Sequence, residues 1–508
     1  MATPCLRSRA DRVIDAAIAR AFAAPYNPWR QLGALTSLAL AITVASGIVA
    51  YALYDTSISG AYQSGLRLQN DPSYFGVLLR GLHRYGADAF MLLMILHLLR
   101  EFLRSHYRGP RWYSWLSGVP LIWLGWLAGL TGLWLLWDSR ALHSVMATAE
   151  WLQALPLVDE GLVRNFLASG ALNDRFFSLV MFLHIGVPLF LIGGLWAHLQ
   201  RIHLPAVWPR RAAGVGLLLT LGVVSLLAPA QSLGMADPHF VPKAISLDWF
   251  FQLPHVLTDS LSGAGTWAVA GGLTLLCASL PWLDRGRRKP APARVELIHC
   301  NGCSRCAADC PFGAIRMVPR TDGGMHAQQA AVDDELCVAC GICVGACPSS
   351  TPFRRIEDLV SGIELPEQPI GRLRQTLREV LKSRAPGSMV LVCRCRHSPG
   401  GSQAPDPSML SIEVECLGML PPSFLDFALR QGLAGAVLAG CEGGNCEFRL
   451  GDRWTLDRIA GRRAPRLRRN VARERIISLA RQDDEASIRN AVDELLRHPM
   501  HDQPGDAR

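Results

Sequence analysis

The segment Arg80-Gly-Leu-His83-Arg-Tyr-Gly-Ala-Asp-Ala-Phe-Met-Leu-Leu-Met-Ile-Leu-His97-Leu-Leu-Arg100 decides the fold: an apolar helical run carrying two histidines 14 residues apart. Fourteen steps rise about 21 Å and fall only about 40° short of four full turns, so both rings leave one face of the helix. A second apolar run repeats the interval with His184 and His198. Two facing helices so equipped offer two bis-histidine sites stacked through a membrane, and this pattern reads as two haem b. His83 with His184 belongs to the outer side, and His97 with His198 to the cytoplasmic side. Gly33 and Gly47, then Gly118 and Gly132, keep the same spacing on two further helices, where a macrocycle would press on the neighbouring backbone. The plain alternative is glycine-rich membrane helices with isolated buried histidines. It leaves one period shared by eight positions unexplained. Arg80 and Arg100, one turn from His83 and His97, are placed to neutralise haem propionates, although Arg100 reads equally as an interface anchor.

Outward from this core, the 508 residues are 50% hydrophobic yet carry 51 Lys and Arg for a net charge of +9. The long apolar runs and most tryptophans precede residue 284, whereas 13 of the 15 cysteines lie between Cys300 and Cys446. Six stretches are apolar enough to cross roughly 30 Å of hydrocarbon, at about 32–54, 76–99, 114–136, 176–199, 212–229 and 265–283. Residues 1–30 hold Arg7, Arg9, Arg12, Arg20 and Arg30 without an apolar core, so they read as a cytoplasmic surface helix and not a cleavable signal. Arg104, Arg108, Arg111, Arg201, Arg210, Arg211, Arg285, Arg287, Arg288 and Lys289 then fall on inner segments, and only scattered bases such as Arg67, Arg140, Arg164 and Lys243 on outer ones. This bias places both termini in the cytoplasm of a bacterial or archaeal inner membrane.

The expected architecture is multidomain: an all-α transmembrane di-haem helix bundle of six spans, then a small α+β dicluster ferredoxin domain and a C-terminal α/β domain. The expected boundaries are 1–30 for the surface helix, 31–283 for the membrane domain, 284–294 for a linker and 295–351 for the ferredoxin domain. A linker or helix follows at 352–387, then the α/β domain at 388–498 and a tail at 499–508. Strands are read at Met389–Val392, Ser411–Glu415 and Gly435–Ala439, with a helix near Pro422–Gln431.

Two copies of a C-x2-C-x2-C-x3-C-P run begin at Cys300 and Cys337. This is the bacterial ferredoxin pattern, in which the fourth cysteine of each run serves the other cluster. One [4Fe-4S] cluster would use Cys300, Cys303, Cys306 and Cys347, and the other Cys337, Cys340, Cys343 and Cys310. Disulfides suit neither this tight spacing nor a reducing cytoplasm, and zinc ribbons do not end both tetrads in Cys-Pro. Five further cysteines, Cys393, Cys395, Cys416, Cys441 and Cys446, follow strand patterns whose loops can converge. Four suffice for one [2Fe-2S] cluster, with either Cys393 or Cys395 as the first ligand; a zinc or empty thiol site is the alternative. Cys5 and Cys277 lie outside every cluster.

The stretches Arg80-Gly-Leu-His-Arg-Tyr-Gly-Ala, Gly129-Leu-Thr-Gly-Leu-Trp-Leu-Leu-Trp-Asp and Leu172-Asn-Asp-Arg-Phe-Phe resemble the b subunit of quinol–cytochrome c oxidoreductases over about residues 20–283. The resemblance implies quinone or quinol as substrate at both membrane faces. It places His203 at the inner quinone site, with an interfacial histidine as the plain alternative. Ala236-Asp-Pro-His-Phe-Val-Pro followed by Leu247-Asp-Trp-Phe is similar to the outer loop whose Pro-Glu-Trp-Tyr takes the quinol proton. Leu247 replaces the proline, and Asp248 keeps a carboxylate of shorter reach. The family's later helices and Rieske-type Cys/His pairs are not found.

Leu391-Val-Cys-Arg-Cys, Val414-Glu-Cys-Leu-Gly and Gly435-Ala-Val-Leu-Ala-Gly-Cys-Glu-Gly-Gly-Asn-Cys resemble the delta subunit of methyl-viologen-reducing hydrogenase, although the first pair here is C-x-C in place of C-x2-C. That resemblance implies a cytoplasmic heterodisulfide reductase-like or hydrogenase-like flavo-iron-sulfur partner. The expected function is quinone-linked membrane electron transfer in a larger complex, with membrane lipid around it, a homodimer on the b-subunit pattern and no nucleic-acid partner. Flow from a flavoprotein to quinone and flow from outer quinol inward both fit this order of carriers. The alternatives are a b subunit served by a separate Rieske partner and a membrane anchor or docking module without quinone chemistry of its own.

Overall fold

The computed structural model describes residues 6–22, 26–155, 173–200, 202, 204–240, 244–283, 290–350, 361–398, 406–441, 446–479 and 485–497. Two compact units divide the chain, one holding most residues up to Gly286 and the other running from Arg287.

The first unit is helical, with α1 (Leu6–Ala19), α2 (Leu32–Ala52), α3 (Gly60–Gln69), α4 (Phe75–Leu103), α5 (Trp112–Trp134), α6 (Ser139–Gln153), α7 (Asp174–Leu199), α8 (Arg211–Leu227) and α9 (Leu253–Leu283). α2 packs along α4 and α5 along α7, which sets the two histidine-bearing helices against the two that carry the spaced glycines. α1 turns acidic residues inward: Asp11 accepts from Trp29 Nε1 at 2.9 Å, and Asp15 from Arg30 Nε at 2.8 Å and Asn27 Nδ2 at 3.1 Å. At α7 the Asn173 side chain caps the first turn by accepting from Arg175 N at 2.9 Å. Asp138, fully buried, starts α6 by accepting from Ala141 N and fixes the 233 loop by accepting from Leu233 N, both at 2.9 Å.

Four of the described helices are long and apolar enough to cross a membrane: Pro28–Ala52, Trp112–Trp134, Asp174–Leu199 and Leu253–Leu283. Two of the six expected crossings differ from these for physical reasons. α4 has ample length at 29 residues but carries Arg80, Arg84, Asp88, Arg100 and Glu101, and α8 is apolar but only 17 residues long. α9 breaks at Ser262, whose φ of 66° is left-handed, so the stretch expected at 265–283 is its second half. Phe182, Leu189, Phe190 and Trp196 of α7 stand exposed, an apolar outer face such as a lipid-embedded helix requires.

The second unit comprises β1 (Arg294–Val295), α10 (Arg305–Ala308), β2 (Ile315–Pro319), β3 (Gln328–Val332), α11 (Ile342–Ala346), β4 (Ile363–Glu364), α12 (Ile370–Leu381), β5 (Val390–Cys395), β6 (Met409–Val414), α13 (Pro422–Arg430), β7 (Gly435–Ala439), α14 (Gly451–Ile459), β8 (Ile476–Ser478) and α15 (Glu485–Arg497). β1 pairs antiparallel with β4, and β2 with β3. The remaining strands form a parallel sheet in the order β6-β5-β7-β8. β5, central and buried throughout, opens on the apolar run 390–393 that a covered parallel sheet requires, with buried Arg394 near its end.

The stretch 352–387 is more than a spacer where it is described. α12 buries Ile370, Leu373 and Leu377 at helical spacing, and these residues share one core with Cys310, Ile315, Val344, Cys393, Leu417 and Cys441. The ferredoxin segment and the sheet are therefore packed as one body, with α12 part of the filling.

Candidate cofactor sites

Each histidine of α4 and α7 is seated on a neighbouring helix by a glycine. A Cβ built on Gly47 would lie 2.7 Å from His83 Cε1, and one on Gly132 would lie 2.7 Å from His184 Cε1. At Gly33 against His97 and Gly118 against His198 the same distance is 3.2 Å. The glycines thus make room for the imidazoles themselves, before any macrocycle is considered. Alanine is the better helix former by about 1 kcal/mol, so at Gly33 and Gly118, where the ring need give only slightly, alanine should be near neutral. At Gly47 and Gly132 the overpacking costs about 1–3 kcal/mol. Gly47→Ala and Gly132→Ala are expected to lower the haem content of purified protein, and Gly33→Ala and Gly118→Ala to leave it near wild type, as read from the haem-to-protein absorbance ratio.

His83 Nδ1 donates to Thr43 O at 2.9 Å and His184 Nδ1 to Ala128 O at 3.0 Å. A carbonyl oxygen only accepts, so these bonds place the ring proton on Nδ1 and leave the Nε2 lone pair for a metal. The two ring centroids stand 6.0 Å apart with planes 79° to each other. Two imidazole–metal bonds of about 2 Å each plus the half-widths of both rings fill that distance. Ser46 Oγ and Thr131 Oγ1 flank the same nitrogens at 3.5 and 3.4 Å, from matching places on α2 and α5. In the second pair His198 Nδ1 lies 3.2 Å from Ser117 Oγ, and His97 Nδ1 is buried without a hydrogen-bond partner among the described residues. The donor chemistry and the glycine seats fit haem at both levels.

The other polar residues singled out in the sequence have partners of their own in the structure. Arg80 is buried and donates to Gly65 O at 3.1 Å and Gln69 Oε1 at 2.9 Å, both on α3, and to Ser232 Oγ at 2.8 Å in the loop after α8. Arg100 pairs with Glu101 at 3.2 Å, and Glu101 lies 2.5 Å from His106 Nδ1. Asp248 is buried; its Oδ1 accepts from Phe250 N at 2.9 Å and Phe251 N at 2.7 Å, while its Oδ2 is ion-paired with Arg84. Arg84 also pairs with Asp88 at 2.6 Å. That Asp88–Arg84–Asp248 group was not foreseen from the sequence; two opposite charges four residues apart inside an apolar helix were its visible signal. His203 lies outside the described residues.

In the second unit, Cys300, Cys303, Cys306 and Cys347 line one small cavity of about 20 Å³ together with Met317, Ala330 and Ile363. Burial, then the neighbouring Cys347, Cys303 and Cys300, push the Cys306 thiol up to about 12. The Cys343 thiol is driven well up by burial and by Cys340, Cys310 and Cys337. The fourth cysteine of each run thus sits among the first three of the other. As free thiols these groups resist ionisation; a bound cluster is what would hold them as thiolates. Among the described residues no three His, Cys, Asp or Glu side chains converge tightly enough for a single metal ion.

At the sheet, Cys395 ends β5, Cys416 follows β6 by two residues and Cys441 follows β7 by two residues, all at the carboxyl edge of parallel strands. Cys395 Sγ lies 3.6 Å from Cys441 Sγ. Cys416 is held well above the usual thiol range by its hydrogen bond with Cys446 and by burial, with Cys395 and Cys340 adding to the effect. Cys393, in contrast, is pushed up to about 12 by burial alone. The structure brings Cys395, Cys416, Cys441 and Cys446 together and leaves Cys393 two residues deeper in the strand.

Three family models match the chain in succession: cytochrome b/b6/petB over residues 19–205, a 4Fe-4S dicluster domain over 299–351, and methyl-viologen-reducing hydrogenase, delta subunit, over 400–494. The menaquinol:cytochrome c reductase cytochrome b subunit of Geobacillus thermodenitrificans is 32% identical over 176 residues, 34% of this chain and 76% of that protein. The subunit of the same name from Bacillus subtilis (strain 168) is 34% identical over 172 residues, 33% of this chain and 75% of that protein. A solved chain described as hyperthermophilic respiratory Complex III aligns with a TM-score of 0.41 at 21% identity, covering 50% of this chain and 75% of that one.

Proposed function

The chain belongs to the cytochrome b family, and from that membership we propose that it is a quinone-linked membrane electron-transfer subunit joining the quinone/quinol pool to a cytoplasmic flavo-iron-sulfur partner of the heterodisulfide reductase or hydrogenase type. Its carriers are two haem b, two [4Fe-4S] clusters and one [2Fe-2S] cluster. α4 and α8 complete six crossings, with the residues before α2 and after α9 on the cytoplasmic side. The observation that carries this reading is the matched pair His83 and His184, each seated on a glycine and each with Nδ1 tied to a helical carbonyl, in a chain that continues into a dicluster ferredoxin segment.

When bound, the haems and clusters supply one-electron carriers; the chain's own residues hold them at fixed spacing and tune them by axial ligand, burial and hydrogen bonds. His83, His184, His97 and His198 hold the haems. Cys300, Cys303, Cys306 and Cys347 hold one cube, Cys337, Cys340, Cys343 and Cys310 the other, and Cys395, Cys416, Cys441 and Cys446 the [2Fe-2S] centre.

A second reading, a membrane anchor without quinone chemistry of its own, is favoured by one observation: both oxygens of Asp248 are committed, one to two backbone amides and one to Arg84. A redox-monitored optical spectrum of the purified protein, mixed anaerobically with a quinol analogue and then with dithionite, tests both. The quinone-linked reading expects two b-type haems, at least one reduced by quinol. Haems that respond to dithionite alone would leave the anchor. Absence of haem from protein with intact iron–sulfur clusters would sink the electron-transfer reading of the membrane unit.

A further inference from the structure

The geometry points to Arg458 as a positioning residue that sits between two redox centres of the second unit, the Cys395/Cys416/Cys441/Cys446 centre and the Cys310/Cys337/Cys340/Cys343 cluster, and holds the potentials of both through its buried charge. The inference rests on the cluster assignments proposed above. Arg458, on α14, is fully buried. It donates through one terminal nitrogen to Gly418 O at 3.0 Å, and through the other to Asp309 Oδ2 at 2.6 Å and Ile342 O at 3.5 Å. Gly418 is two residues from Cys416, Asp309 is next to Cys310, and Ile342 lies between Cys340 and Cys343. One guanidinium thus grips the backbone or side chain beside ligands of both centres. Its Nε has no hydrogen-bond partner among the described residues.

The packing at this junction leaves no slack. Cys340, Ile342 and Cys416 share a small core with Phe448 and Trp454. A Cβ on Gly345 would collide with Gly418 O, and one on Gly418 would lie 2.8 Å from Ile342 Cγ1. The cavity of Cys300, Cys303, Cys306 and Cys347 is lined by none of these junction residues, so that cluster is the remote one. Asp309 is shared with a second arginine, Arg463, which lies 4.1 Å over the Trp454 ring. Two guanidinium charges against one carboxylate leave a net positive charge in a low-dielectric interior, where it favours the reduced, more negative state of any neighbouring cluster.

An EPR-monitored redox titration of the full-length holoprotein tests this. In Arg458→Met the midpoints of the two adjoining centres should move to more negative potential, while the remote cluster and the haems stay in place. Arg458→Lys should keep most of the wild-type values, and Arg458→Met with Asp309→Asn, which restores the net charge, should return both midpoints toward wild type. Arg463→Met removes charge from the same carboxylate at a partly exposed position and should give a smaller shift of the same sign; it serves as the test if Arg458→Met loses clusters. No shift in Arg463→Met, equal shifts in the single and double variants, or a uniform shift of all centres would overturn the inference. A wild-type protein without these EPR signals would instead overturn the cluster assignments on which it rests.

Discussion

His184→Ala is expected to bind one b haem fewer than the wild-type protein. The substitution removes one of the two facing imidazoles and leaves His83, still tied to Thr43 O, with no partner across the 6.0 Å gap. A haem held from one side only would lose half of its axial ligation, which lowers its affinity for the site. The His97/His198 pair uses a different part of both helices, so its haem should remain. Haem content per polypeptide should fall by about half, and the redox titration should keep one b-type wave. Retention of two haems in His184→Ala would show that the pairing is wrong. His203→Ala serves as the control, since the proposed role of His203 at a quinone site predicts no loss of haem.

The second large effect concerns the C-terminal centre. Cys395→Ser should abolish its EPR signal and lower the iron content, because Cys395 Sγ is the thiol 3.6 Å from Cys441 at the strand edge. Cys393→Ala should leave that signal intact. Cys393 faces the apolar core, its thiol raised by burial with no other cysteine contributing, so it behaves as a small hydrophobe. Loss of the signal in Cys393→Ala with its retention in Cys395→Ser would reverse the assignment.

The period of 14 was legible because helical geometry converts spacing directly into facing, and the cysteine runs because cluster coordination tolerates little variation in spacing. Three strands were likewise visible as runs bounded by turn residues, read at 389–392, 411–415 and 435–439 where the structure has 390–395, 409–414 and 435–439. What escaped notice has equally physical causes. β8 is three residues long, too short to show a pattern. The choice of Cys395 over Cys393 depends on how far a strand runs before its edge, which only its neighbours fix. Thr43 and Ala128 act through backbone carbonyls, which carry no residue signature. Arg80 and Asp248 were read by distance along the chain, whereas one partner of each, Ser232 for Arg80 and Arg84 of α4 for Asp248, lies more than 100 residues away in sequence.

The absence of room for a Cβ between α11 and the turn at 417–419 bears on how such a chain can be rearranged. Two recognisable families follow one another in the sequence, one match ending at 351 and the next starting at 400, which invites excision or exchange of either as a cassette. The shared core ignores that seam: Cys310, Val344, Leu377, Leu417 and Cys441 pack together across it. A graft made at the family boundary would cut through a continuous interior and bring foreign side chains against Gly345 and Gly418, where not even a methyl group fits. Any recombination that keeps this half of the molecule working has to carry residues 290 to 497 as one inherited block, whatever their separate ancestries.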